Sequence, residues 1–167
     1  MINLLKYRTK SYLKKNKCAR SSTPYNQSLK VGLIFTMEDF KKHELVKGFI
    51  KKLEGDGKKV DVITFLPKDR QNYEFLFDFF TDKEISFWGY ITSDKAIKFS
   101  ETSFDYLFYV DTEPNPLILN LLARSKAKCR VGKFWEEGKP FFEFMIEGPS
   151  DTKLLIDGMF KYTSILR

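Results

Sequence analysis

Two features of the sequence predict an α/β domain on a mostly parallel sheet. Apolar runs of strand length recur between amphipathic stretches of helix length, and the residues between them are those of helix caps and turns. A third feature sets the leading segment apart. Of the 29 Lys and Arg residues, eight (Lys6, Arg8, Lys10, Lys14, Lys15, Lys17, Arg20 and Lys30) fall in the first thirty positions, which contain no Asp or Glu. That leaves 21 basic residues against all 22 acidic ones in the remainder, a net charge of −1. The pI of about 9.3 thus belongs to a basic helix and linker over residues 1–28, and a near-neutral α/β domain is expected over 29–167.

Taken in order, residues 2–17 group Leu4, Leu5, Tyr12 and Leu13 loosely on one helical face among cations, and the polar, Pro-containing stretch 21–28 reads as a linker. Lys30–Met37 is a compact apolar strand. Thr36 is the expected N-cap of the following helix, with Asp39 in its first turn near the positive helix end. Phe40, Leu45, Val46, Phe49, Ile50 and Leu53 mark the apolar face of that helix, and Gly55-Asp56-Gly57 supplies its left-handed stop. Val60–Leu66 is the second strand, ended by Pro67. Tyr73, Leu76, Phe77 and Phe80 recur at i, i+3, i+4 and i+7 and predict a second helix.

Ile85–Ile91 is the expected third strand, 93–100 a short helix and Tyr106–Asp111 the fourth strand. Asn115 as N-cap and Pro116 at the first helical position open the next helix, because Pro lacks only a donor that is unpaired there anyway. Cys129–Phe134 and Phe141–Glu147, separated by a short polar stretch, predict an antiparallel hairpin. Ser150 or Asp151 caps a last helix whose apolar stripe is Leu154, Leu155, Gly158, Met159, Tyr162, Ile165 and Leu166. The sum is a three-layer Rossmann- or flavodoxin-like sandwich with about six strands, parallel except for the C-terminal hairpin.

Composition excludes whole classes. With 43% apolar residues and 17 Phe the chain is too hydrophobic for a disordered protein. No stretch approaches the roughly 18 consecutive apolar residues of a membrane span, and the charge order at the N-terminus is the reverse of a secretory signal. Cys18 and Cys129 offer neither a disulfide framework nor metal-ligand spacing, so a cytoplasmic location is expected, with peripheral membrane attachment left open.

In an open parallel sheet, ligands bind outside the carboxyl ends of the strands where strand order reverses. The candidate rim is Thr36, Asp39, Asp111 and Asn115. Neither glycine pattern for phosphate binding is present, and Thr-Met-Glu-Asp after the first strand would repel a pyrophosphate, so no cofactor is expected. Asp111 is the most suggestive residue. With Glu113 or Asp39 it could serve as acid or base or hold a divalent cation; alternatively it simply caps the turn before Pro114. His43 reads as a solvated surface histidine and Cys129 as a small core residue. Phe75, Phe77, Phe79 and Phe80 read as core packing, with Phe75 and Phe79 an exposed pair if they project from the helix face, and Trp135 is the better candidate of the two tryptophans for exposure.

The leading segment interleaves Tyr7, Tyr12 and Tyr25 with its cations. Lys6, Arg8, Lys10, Lys14, Lys15, Lys17 and Arg20 are the candidate polyanion contacts, for RNA or a ribonucleoprotein or for an anionic membrane surface; a solubilising helix is the bland alternative.

Residues 103–134, with the Asn-Pro helix start (Asn115, Pro116, Leu117) and the strand Ala127-Lys128-x-Arg130-Val131-Gly132, resemble the central segment of an uncharacterised family of small Bacteroidetes proteins. The same segment is distantly similar to the N-terminal domain of heptosyltransferase-like glycosyltransferases. That likeness implies the α/β fold and not the activity, because those enzymes bind nucleotide-sugar on a second domain. The expected function is a non-enzymatic binding or adaptor domain docked by its basic segment. The alternatives are a small enzyme or ligand-binding domain using the rim, and a structural subunit associating with a protein partner through exposed aromatics.

Overall fold

The computed structural model of the protein describes residues 1–148 and 150–167. Six parallel strands, β1 (Lys30–Thr36), β2 (Lys59–Phe65), β3 (Asp78–Phe80), β4 (Tyr106–Tyr109), β5 (Cys129–Lys133) and β6 (Phe144–Ile146), form one sheet in the order β3-β2-β1-β4-β5-β6. This is the Rossmann-like order, and it reverses between β1 and β4. Those two strands are buried on both faces: Val31, Leu33 and Phe35 with Tyr106 and Phe108 point to one side, Ile34 with Leu107 and Tyr109 to the other.

Helices α2 (Phe40–Gly55) and α5 (Thr152–Ser164) cover the first side, and α3 (Asp94–Glu101) and α4 (Pro116–Arg124) cover the second. Connections toward β2 and connections toward β4, β5 and β6 run in opposite directions along the sheet. A single hand of crossover therefore sends their helices to opposite faces. Asn115 caps α4 as the sequence predicts, accepting the Leu117 N–H at 3.0 Å with Pro116 at the first position.

Several expectations are corrected. The cap of α2 is Asp39, whose carboxylate accepts the Lys42 N–H at 2.8 Å; Thr36 is the last residue of β1. The aromatic stretch 73–80 is no helix but a 3-10 turn, Tyr73–Phe75, leading into the short strand β3. Phe75 and, to a lesser extent, Phe79 are exposed, and Phe77 and Phe80 are buried. Residues 85–91 form a tight turn closed by a single antiparallel bridge between Ile85 and Ile91 rather than a strand.

The C-terminal hairpin is replaced by a parallel pair. Phe141 and Phe142 belong to a crossover that packs on the α4 face instead of to a strand. The Phe142 ring fills the space over Gly132, where a Cβ would lie 2.4 Å from it, and buried Arg130 fixes the register through Glu143 at 3.0 and 2.6 Å. On α5, Leu155, Ile156 and Met159 are buried while Leu154, Tyr162 and Ile165 are exposed.

The basic segment is seated on the body. Helix α1 (Ile2–Lys15) lies on α4, with Leu5 buried and Thr9 Oγ1 accepting from Asn120 Nδ2 at 3.0 Å. Asn16 Nδ2 donates to the carbonyls of Ala123 and Ser125 at 3.0 and 2.9 Å, satisfying groups that the end of α4 leaves unpaired. Farther on, Ser21 N–H donates to Lys128 O at 3.0 Å, and Tyr25 Oη donates to Asp56 at 2.6 Å. Lys58 Nζ, buried, reaches the Ser28 carbonyl at 2.8 Å.

Candidate functional site

The reversal of strand order brings Thr36, at the end of β1, against Asp111 and Asn115, which follow β4. Thr36 donates twice to Asp111, through its N–H to Oδ1 at 2.8 Å and through Oγ1 to Oδ2 at 2.7 Å. Asn115 Nδ2 donates to Thr36 Oγ1 at 2.9 Å. Three of the four rim residues expected from the sequence therefore form one hydrogen-bonded unit. The fourth, Asp39, adjoins it only through the backbone of Lys42.

At the centre of this unit lies a residue the sequence reading passed over. Lys42, on the first turn of α2, is 2% exposed and places Nζ 2.6 Å from Asp111 Oδ1 and 2.9 Å from Glu38 Oε1; Asp111 itself is 4% exposed. The available signal was the Glu38/Lys42 spacing, i to i+4, hidden in a Lys41-Lys42-His43 run that looks solvated. Tyr109 completes the network, its hydroxyl accepting the Asn115 N–H at 2.8 Å. Burial, and then the Asp111 carboxylate, push the Tyr109 hydroxyl far above its usual range and keep it neutral. The polar groups at the reversal point thus satisfy one another. Two buried charges are neutralised in this way, and a buried charge left without its partner is strongly destabilising.

His43, expected at the surface, is fully buried among Phe40, Tyr73 and Phe77, with ring centroids 6.0, 5.6 and 5.2 Å away. Its Nε2 donates to Glu74 Oε2 at 2.9 Å, and Nδ1 has no partner among the described residues. The bond from His43, and then the Lys47 ammonium, hold the Glu74 carboxyl below its usual range. His43, Glu44 and Glu74 bring ligand atoms within 4.8 Å of one another. That position is already taken by a cation, because Lys47 Nζ sits 2.9 Å from Glu74 and 3.2 Å from Glu44. Cys129 is buried, and burial raises its thiol to about 11, which leaves it unreactive at neutral pH.

The seven candidate cations of the leading segment divide into two groups. Arg8 and Arg20 turn toward the body. Arg8 lies over the Tyr90 ring at 4.1 Å, and Arg20 bonds the Ala127 carbonyl and pairs with Glu143 at 3.7 Å. Burial, and then Arg130, lower the Arg20 pKa. Lys6, Lys10, Lys14, Lys15 and Lys17 are exposed, and none has an acidic partner among the described residues. Lys6, Lys10 and Lys14 recur at i, i+4 and i+8 and form one exposed row along α1.

The model of a family of unknown function, DUF6913, matches residues 2–166, the basic helix and the α/β body together. The chain belongs to this family. No curated protein and no solved structure matches it. Among the described residues no helix is long and apolar enough to cross a membrane.

Proposed function

We propose that the protein is a cytoplasmic, non-enzymatic binding module that docks on a polyanionic partner through the outward lysines of α1, with the α/β body as the rigid frame holding that helix. The observation that carries the proposal is the Lys6/Lys10/Lys14 row, exposed and without an acidic partner among the described residues, in a stretch of thirty residues without one acidic side chain. Lysines four apart on a helix repel each other by a few tenths of a kcal/mol per pair. An anion laid along the row removes that repulsion and gains attraction to Lys15 and Lys17. The satisfied, buried network at the strand-order reversal favours binding by α1 over chemistry at the rim.

The test is retention of the full chain on a sulfated polymer column across a salt gradient. Wild type is expected to be retained at low salt and released as salt rises, because exposed charges are screened. The variant K6Q/K10Q/K14Q is expected to elute near the void with its fold intact by circular dichroism. Equal retention of the two proteins would rule the row out as the contact.

A further inference from the structure

Beside the N-terminal half of α1 stands the turn Ser86–Tyr90, and its tip carries two large side chains in solvent: Phe87 is 77% and Trp88 is 63% exposed. The turn is rigid. Ser86 N–H donates to Tyr90 O at 2.8 Å, Gly89 N–H donates to Ser86 O at 3.0 Å, and the Ile85–Ile91 bridge closes its base. It is also seated on the helix. Gly89 has φ of 77°, and a Cβ there would lie 2.8 Å from the backbone of Leu4 and Leu5. Arg8 ties the two elements together, over Tyr90 at 4.1 Å and over the exposed Tyr7 at 5.9 Å. Exposed Met1 and Ile2 lie at the same end of the helix.

We infer that the polyanion is an anionic lipid bilayer, engaged by the lysine row at the headgroups and by Phe87 and Trp88 inserted among them; this rests on the polyanion reading above. An apolar tip held rigidly in water is unfavourable unless something covers it. Aromatic side chains with Lys nearby are the composition that settles at a membrane interface, where rings lie at headgroup depth and ammonium groups meet lipid phosphates. The chemistry favours lipid over RNA on two counts. Phe87 and Trp88 pack edge to face at 84° with centroids 5.3 Å apart, so they present no parallel ring faces for successive bases to stack on. Met1 and Ile2 add aliphatic surface that a nucleic acid has no use for.

The experiment is flotation of the full chain with phosphatidylcholine vesicles, with and without phosphatidylglycerol, alongside a single-stranded oligonucleotide and the sulfated polymer column. Wild type is expected to float only with the anionic vesicles, and lipids brominated along the acyl chain are expected to quench its tryptophan emission. The variant F87S/W88S is expected to lose at least tenfold in vesicle partitioning while its melting temperature and polymer retention stay as in wild type. K6Q/K10Q/K14Q is expected to lose both, by about fivefold per lysine on vesicles. Polymer retention without flotation would overturn the lipid assignment and leave the polyanion reading standing. Loss of polymer retention as well would overturn both. Oligonucleotide binding that depends on Phe87 and Trp88, with no flotation, would assign the surface to nucleic acid instead.

Discussion

The strand-order reversal and the exposed lysine row of α1 treat charge in opposite ways. At the reversal, Lys42 and Asp111 are withdrawn from water and bonded to each other; Thr36 donates to Asp111, Glu38 accepts from Lys42, and Asn115 donates to Thr36. On α1, Lys6, Lys10 and Lys14 face solvent with no acidic partner among the described residues. Matched, buried charges hold the first turns after β1 and β4 together. Unmatched, exposed charges of one sign give the protein an attraction it does not satisfy internally. The comparison shows why a carboxylate at the expected ligand position of a Rossmann-like sheet is not by itself evidence of catalysis.

The largest expected effect breaks the matched side. Asp111→Ala leaves buried Lys42 with the half-exposed Glu38 as its remaining carboxylate and is expected to destabilise the fold by about 3 kcal/mol in urea denaturation, whereas the double variant K42M/D111L is expected to recover a substantial part of that loss. If single and double variants are equally destabilised, the pair is not what holds the two turns together. Next in size, Asn16→Ala removes two hydrogen bonds to the end of α4 and is expected to cost about 1–2 kcal/mol by thermal melting, with α1 loosened in hydrogen exchange.

A smaller effect is pH-dependent. Burial pushes the Asp105 carboxyl up, but the N–H groups of Lys30 and Leu29 and the Lys128 ammonium outweigh it and hold it below its usual range. A carboxyl lowered in the folded state contributes stability above its unfolded pKa of about 3.9 and loses it as pH falls through the folded value. Melting temperature should therefore fall below about pH 4, and D105N should be less stable at neutral pH with a shallower acid limb. The smallest expected effect is on the unmatched side. K6Q/K10Q/K14Q removes two repulsive pairs and should raise stability slightly, by no more than about 0.5 kcal/mol per pair, even as it weakens polymer binding.

Much of this fold was legible because its central elements obey local rules. Asn115-Pro116 marks a helix start by chemistry that tertiary packing does not override, and β1 and β4 are continuous apolar runs because both their faces are covered. Thr36, Asp111 and Asn115 could be grouped before any coordinates, since the carboxyl ends of neighbouring parallel strands converge. The misses have physical causes. Phe75, Phe77 and Phe79 alternate while Tyr73, Leu76, Phe77 and Phe80 fit a helix, so periodicity could not decide between the two over a three-residue strand. Lys42 and His43 sit in a polar run whose burial is imposed by partners distant in sequence, Asp111 and Glu74. Trp135 packs on Phe142 while Trp88 is largely exposed, because burial at a turn depends on which crossover folds over it.

The most direct test of the central claim sets the two regions against each other in one titration. Binding of a sulfated polymer to wild type, T36V and K6Q/K10Q/K14Q would be measured over a range of salt concentrations. The expected result is that T36V shares the steep wild-type dependence of log affinity on log salt, while the lysine variant is flatter by about 2–3. If T36V is the flattened protein and the lysine variant follows wild type, the anion binds at the strand-order reversal and the role assigned to α1 is wrong.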